Sequence, residues 1–324
     1  MTRVLFLGGL GRSGTTLVER VLGELPGVVA LGEVVHLWQR DLRDGERCGC
    51  GEPFRRCRFW REVGEQAFGG WHRLDVARVL RLRHRVERTR HVPRLAAADR
   101  RSGSEIAEYA GYYRRVYAAA ARVAGARLVV DSSKHGALAW CLRHSAAVDL
   151  RVVQMVRDPR AVAHSWTRRV IRPESRGVEM TRYRPGHSAL LWNAQNAALG
   201  LLSWRGVPVH RLRYERFVAD PAGAVRELAR FAGLGDLSAA DLAFLEPAGP
   251  DEPARVSLGR SHSAAGNPMR FTVGTVPVRR DDAWYADLPP RHRWLVGAVC
   301  APLLAAYGYP LRPRRPGDRP AGRR

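Results

Sequence analysis

Residues 4–16 read Val-Leu-Phe-Leu-Gly-Gly-Leu-Gly-Arg-Ser-Gly-Thr-Thr, a short apolar run that breaks into a glycine loop. Four apolar residues bounded by glycines suit a buried parallel strand. Beyond the loop, Leu17, Val18, Val21, Leu22 and Leu25 recur at helical spacing, and Pro26-Gly27 is expected to stop the helix. Residues 28–31 then read as a second strand. Strand, loop, helix and strand make a βαβ unit, which crosses over right-handed into a parallel sheet. The expected fold is therefore α/β, a parallel β-sheet flanked by helices.

Further strands are expected at residues 127–130, 152–156 and 207–212. Asp158-Pro159 and Asp220-Pro221 each pair a good N-cap with a good first helical residue. They predict helices from 158 to about 170 and from 220 onward, with others over 188–203 and 290–306. Residues 36–126 are polar, arginine-laden and helical in period. They read as a mostly helical insertion and as the expected acceptor-binding region. Residues 249–278 read as loop, and 312–324, with six arginines and three prolines, as a solvated basic tail. The organisation expected is one domain over 1–311 followed by that tail.

The chain has 324 residues, 45% hydrophobic and 26% charged, which excludes wholesale disorder. No apolar run reaches the ~18 residues of a membrane span. The start shows no signal-peptide pattern, so a cytoplasmic protein is expected. The formal charge is +23, yet of 54 basic residues only Lys134 is a lysine. The arginines are spread along the chain and accompany no nucleic-acid-binding signature, so no specific nucleic acid is expected as partner. Cys48, Cys50 and Cys57 form C-x-C-x6-C, followed by no second pair of ligands such as zinc sites usually carry. His72 could complete a site but nothing fixes it, and a glycine-rich turn with small buried thiols is expected.

The loop fits more than one fingerprint. Gly9, Gly11 and Gly14 spell G-x-G-x-x-G, with Glu33 nineteen residues beyond, as a dinucleotide-binding oxidoreductase requires. Gly9 and Gly14 also frame a Walker-type loop, but Thr15 stands where its lysine belongs. In a third reading, Gly11-Arg12-Ser13-Gly14-Thr15-Thr16 surrounds one phosphate with a cation, three hydroxyls and a helix N-terminus. Arg157, Ser165 and Arg169, placed after a strand and at helical spacing, can converge on a second phosphate.

The loop and the Arg157–Ser165 segment together resemble the two phosphate-binding motifs of sulfotransferases that use 3′-phosphoadenylyl sulfate (PAPS) and release PAP. Arg213-Tyr214-Glu215, Gly266-Asn-Pro-Met-Arg270, the Trp284 segment and Tyr307-Gly-Tyr309-Pro extend the resemblance over most of the chain. Arginine in the first loop resembles the branch containing protein-tyrosine sulfotransferases. That branch has a Gly-Glu-Glu motif, of which Gly32-Glu33-Val34 keeps only the first glutamate. The resemblance implies a P-loop-like fold, with Gly11, Arg12, Ser13, Gly14, Thr15, Thr16, Arg157, Ser165, Arg169, Tyr214 and Arg270 binding the donor. It implies Glu33 as base and Lys134 and Arg12 as leaving-group cations. The sequence itself offers His262, in the polar stretch Ser261-His-Ser-Ala-Ala-Gly-Asn-Pro, as a competing base. No metal is expected in this chemistry. A carbohydrate, a lipid or a small molecule remain open as acceptor.

Overall fold

The computed structural model describes residues 1–98, 104–170, 179, 181–249 and 252–312. Five parallel strands form the central sheet: β1 (Thr2–Gly8), β2 (Val28–Ala30), β3 (Leu128–Lys134), β4 (Val148–Val156) and β5 (Val209–Arg213). Their order is β2-β3-β1-β4-β5. All five lie where apolar runs predict them. β3, however, runs on through the polar Asp131-Ser-Ser-Lys134 instead of stopping at Val130. The polar stretch stays in the sheet because its groups are satisfied internally. The Asp131 carboxylate accepts from the Ser133 N–H (2.7 Å) and the Tyr117 hydroxyl (2.5 Å).

The helices are α1 (Thr15–Leu22), α2 (Arg58–Phe68), α3 (Val76–Val86), α4 (Val92–Ala97), α5 (Ser104–Ala124), α6 (Gly136–Leu142), α7 (Pro159–Thr167), α8 (Pro185–Gly200), α9 (Tyr214–Ala219), α10 (Pro221–Phe231), α11 (Trp284–Asp287) and α12 (Pro290–Ala306). Both predicted caps form: Asp158 accepts from the Arg160 N–H (2.9 Å) and Asp220 from the Gly223 N–H (2.8 Å). α7 is shorter than expected. Thr167 turns its hydroxyl back to the His164 carbonyl (2.7 Å), and Arg168 is extended, so the helix does not reach residue 170. Residues 249–278 are not simply loop. β7 (Arg255–Leu258) pairs antiparallel with the short β6 (Leu245–Glu246) on one side and with β8 (Gly274–Pro277) on the other. Of the expected tail, residues 313–324 lie outside the described residues.

Side chains alternate along β1. Val4 and Phe6 pack, with Val129 and Val152, against Trp38, Trp60, Tyr113, Tyr117 and Trp140. Leu5 and Leu7 point the other way, toward Val18, Val21, Phe217, Leu228 and Val256. Region 36–126 is therefore the packed layer on one face of the sheet, continuous with its core. Among the described residues no helix is long and apolar enough to cross a membrane.

One buried carboxylate ties these layers together. Glu19 of α1 accepts from the Gly32 N–H (3.1 Å) and the Ser263 hydroxyl (2.9 Å), and Ser132 Oγ lies 3.5 Å away. Burial pushes Glu19 up to about 7, against the opposing pull of Ser263, Arg20 and Lys134. Burial likewise raises Asp41 to about 7 and Asp131 to about 6. Folded-state values above the unfolded ones mean that the folded chain holds extra protons in this range. Stability is then fully present below about pH 4 and is lost as the pH rises to about 7. Histidines held low by burial, His36 foremost, contribute in the opposite sense over part of this window, so the carboxyl share is read by comparison: the stability of Glu19→Gln relative to the unmodified chain should improve as the pH rises from 5 to 7. Tm curves for the two proteins that run parallel across that window would contradict the assignment.

Candidate active site

The strand order reverses between β1 and β4. The chain leaves β1 toward β2 on one side and leaves β4 toward β5 on the other. Ligands of open α/β sheets bind at such a reversal, outside the C-terminal strand ends. A cavity of about 720 Å³ opens there. Gly9, Gly11, Arg12, Gly14, Thr15 and Thr16 line it from the loop after β1, and Arg157, Ser165 and Trp166 from the segment after β4. Lys134 enters from the end of β3, and Glu33 from just beyond β2.

The loop closes onto the start of α1. Gly14 caps that helix with a left-handed backbone, φ +89°, and a Cβ there would run into the ring of Tyr214. The position requires glycine twice over, for its torsion and for its space. Tyr214 sits beneath the Arg157 guanidinium, 4.8 Å from its ring centre. Arg157 donates to the Arg12 carbonyl (3.1 Å) and to the Asp281 carbonyl (3.3 Å). Arg12 stacks on Trp166 (5.2 Å), whose indole N–H donates to the Gly11 carbonyl (3.0 Å). Both arginines are thus held against aromatic faces at one wall of the cavity.

Glu33 and Lys134 form an ion pair through Oε1 and Nζ, each side chain 12% exposed. The other oxygen, Oε2, lies 3.6 Å from Nε2 of His36. Burial alone would raise the Glu33 carboxyl, but Lys134, helped by Arg40 and His135, outweighs it and holds Glu33 below the usual carboxylate range. Burial and the neighbouring cations push His36 well below its ordinary value, so it faces Glu33 as a neutral ring. The backbone N–H of Glu33 donates to the Ala264 carbonyl (3.0 Å). Gly266, φ +109°, packs so closely that a Cβ there would lie 2.6 Å from Glu33 Oε1.

Three described non-glycine residues have positive φ: Arg12 (76°), Lys134 (69°) and Ala265 (33°). The first two line the cavity and the third precedes Gly266, which also does. Each such torsion costs about 1–3 kcal/mol and persists where the surroundings over-determine it. That both candidate cations carry this strain singles the cavity out as the candidate site.

Not every residue singled out in the sequence arrives there. Ser13 is buried and its hydroxyl has no hydrogen-bond partner; it does not line the cavity. Arg169 lies past the end of α7, is 74% exposed, and stands 3.8 Å from Glu179. The expected shared helix face with Ser165 does not exist. Arg270 is fully buried on the far side of its loop, its guanidinium 3.7 Å from Glu46 and attracted by Asp41, with no contribution to the lining. His262 turns to the cysteines, not to Glu33. Residues not picked from the sequence complete the wall: His36, Arg40, Trp166, Tyr183, Gln195 and Arg279. Trp166 follows Ser165 directly and was the one within reach of the motif.

A second cavity of about 250 Å³ shares His135 and Gln195 with the first and is lined further by Arg83, His84, Glu87 and Arg88 from the helical layer. Glu87 is buried, which would raise it, but His135 and Arg83 hold it below the usual range.

Residues 5–237 match the model of the Sulfotransferase family. Carbohydrate sulfotransferase 7 of Mus musculus is 30% identical over 219 residues, 55% of this chain. That match spans only 42% of the mouse protein's length. Among solved structures, the sulfotransferase domain of the Synechococcus PCC 7002 olefin synthase aligns over 96% of both chains, with 21% identity and a TM-score of 0.49. The sulfotransferase domain from the curacin biosynthetic pathway aligns over 96% of this chain and 99% of its own, with 16% identity and a TM-score of 0.48. With its family model matched across residues 5–237, well over half of its length, the chain belongs to the sulfotransferase family.

Proposed function

We propose that this chain transfers a sulfuryl group from PAPS to a hydroxyl or amine of a polar acceptor, such as a carbohydrate or a small metabolite. The observation that carries the reading is the largely buried Glu33–Lys134 pair, a base and a cation on one spot, flanked by a loop at a helix N-terminus and by Arg157. The residues present fit the donor. The N-terminus of α1 with Thr15, Thr16 and Arg12 suits the 5′-phosphosulfate, and Arg157 with Ser165 suits the 3′-phosphate. The cavity volume lies within the usual range for nucleotide-sized ligands.

The donor supplies an activated sulfonate for in-line transfer, where positioning and charge stabilisation supply most of the catalysis. In the free protein Lys134 neutralises Glu33 and keeps it a weak base. An anionic bridging oxygen competes for the same ammonium. When Lys134 turns to that oxygen, the buried carboxylate loses its counter-charge and gains basicity where the acceptor proton must be taken. The acceptor oxygen forms its bond to sulfur, its proton passes to Glu33, and PAP leaves against Lys134 and Arg12. The smaller cavity beside His135, lined from the helical layer, suits the rest of the acceptor.

A binding panel tests the class of donor. PAP should raise the Tm by linkage, while NAD and ATP should not. Strong stabilisation by NAD alone would favour the dinucleotide reading of the same loop, and tight DNA binding indifferent to PAP would favour a polyanion binder.

Arg157→Ala and Ser165→Ala should weaken PAP, the arginine by about 1.5–3 kcal/mol and the serine by less. Adenosine 5′-phosphosulfate, which has no 3′-phosphate, should be nearly indifferent to both. Arg169→Ala should change neither, because its side chain stands outside the cavity. Equal losses for the two nucleotides in a titration would assign Arg157 and Ser165 a merely structural role.

The pair itself has a pH signature. kcat/KM reports the free enzyme, in which Glu33 is held below its ordinary range, so its acid limb should fall at low pH. kcat reports the loaded enzyme, in which Lys134 is engaged elsewhere, so its acid limb should lie at higher pH. Glu33→Gln should lower kcat by about 10²–10⁴-fold. Lys134→Arg should keep PAP affinity within a few-fold but lower kcat, since a planar fork replaces a compact ammonium. Coincident acid limbs for kcat and kcat/KM would exclude the exchange of partners by Lys134.

A further inference from the structure

The three clustered cysteines do not form a bare glycine-rich turn. Cys48 and Cys50 sit on a tight loop in which the Gly51 N–H donates to the Cys48 carbonyl (2.8 Å) and the Cys48 N–H to the Glu52 carbonyl (2.9 Å). Cys57 caps the start of α2. The fourth member comes from more than two hundred residues away: Nδ1 of His262 lies 3.2 Å from Cys57 Sγ and 3.8 Å from Cys48 Sγ. Cys50 Sγ is 3.7 Å from Cys57 Sγ. All four donor atoms fall within 4.8 Å of one another, and all three thiols are free.

These separations have a specific meaning. A disulfide would bring two sulfurs to about 2.05 Å, so Cys50 and Cys57 are not bonded to each other. Zinc–sulfur bonds of about 2.3 Å at tetrahedral angles put neighbouring ligand atoms roughly 3.8 Å apart, and a nitrogen ligand draws in slightly closer. Three of the six edges, at 3.2, 3.7 and 3.8 Å, lie near those values, and none exceeds 4.8 Å, so a small inward movement of the side chains completes the tetrahedron. The histidine is also oriented. Its ring stacks on Phe59, with centres 5.1 Å apart and planes 20° from parallel, and its carbonyl accepts from the Trp60 indole N–H (2.7 Å). These contacts hold the plane of the ring and its backbone in place, with Nδ1 directed at the thiols.

We propose that Cys48, Cys50, Cys57 and Nδ1 of His262 form a structural Zn²⁺ site. Three soft thiolates and one imidazole select zinc over the hard cations that prefer oxygen. Four protein ligands leave no open coordination position, so the metal supports the fold and takes no part in catalysis. Its place explains why the fold would keep it. The Gly49 N–H donates to the Ser263 carbonyl (3.0 Å), and the next residue, Ala264, pairs with Leu31 and Glu33. The metal thus clamps the helical layer to the strap that seats Glu33. The assignment stands on the cluster alone and is independent of the reaction catalysed.

Elemental analysis of the full chain, purified after growth with added zinc, should find about one zinc per chain. Cobalt(II) exchanged into the site should show thiolate-to-metal charge transfer and the intense visible bands of a tetrahedral ion. His262→Cys, which keeps a soft fourth donor, should retain metal. His262→Ala and Cys57→Ser should lose most of it. Should those variants fail to fold, the wild-type chain still decides the matter: a chelator should lower its Tm, and Zn²⁺ but not Mg²⁺ should restore it. A chain that is metal-free from zinc-supplemented cells and whose Tm ignores both chelator and zinc would overturn the proposal, as would a Cys50–Cys57 disulfide in the native protein.

Discussion

The cleft depends on a carboxyl group that never reaches it. Glu19 lies inside α1, the helix whose N-terminus faces the cavity, and holds the backbone of Gly32, the hydroxyl of Ser263 and the vicinity of Ser132. One residue beyond Gly32 is Glu33; two beyond Ser132 is Lys134; one before Ser263 is His262. A single side chain therefore sets the relative positions of the candidate base, the candidate cation and the strap behind them. A buried carboxyl is costly unless its partners are well placed. That cost makes the arrangement unforgiving: a shift of any one segment would strand a buried acid. The same constraint explains how Lys134 can be held in a left-handed conformation at the end of a strand.

The legible part of the molecule was local. Hydrophobic runs located all five parallel strands, and two Asp-Pro pairs located helix starts that the side-chain bonds of Asp158 and Asp220 confirm. Glycine spacing also located the loop between β1 and α1. Features set by contacts distant in sequence were not legible. β6, β7 and β8 are two to four residues long, too short for a periodic signal, and they exist because they cover Leu5, Leu7 and α1. Arg169 failed for a different reason. Spacing alone put it on the face of Ser165, but the Thr167 hydroxyl ends the helix first. Arg270 was drawn away by Asp41 and Glu46, whose proximity no local pattern reveals. His262 stood out in the sequence, yet nothing there joins it to cysteines two hundred residues earlier.

The heavy use of arginine takes on a structural aspect near the site. Arg12 lies on Trp166, Arg157 on Tyr214, Arg160 on Trp284, Arg211 on Tyr307 and Arg213 on Tyr309. A flat, weakly hydrated guanidinium can be shelved on a ring in a way that an ammonium cannot. Several are also tethered to carbonyls: Arg160 reaches those of Pro310 and Leu311, and Arg213 that of Gly308. Residues 308–311 are thereby bound to α7 and to the end of β5. Tyr309 reinforces this by donating to Glu215 (2.6 Å), which in turn accepts from the Asp158 N–H (3.1 Å). Part of the positive charge around the site is thus framework, committed to holding elements together.

The helical layer of residues 36–126 shares its core with the sheet, and this limits how the molecule can change. A lid or a grafted module joined through a polar seam can be exchanged without disturbing what lies beneath. Here Trp38, Trp60, Tyr113 and Tyr117 are packed directly on Val4, Phe6 and Val129, so replacing the layer would expose one side of the strands that carry the glycine loop. Change is easier at the few positions where the layer meets open space, such as His84 and Arg88, which line the smaller cavity without belonging to the core. Divergence in this protein would proceed by retouching a rim, with the foundation held constant by its own packing.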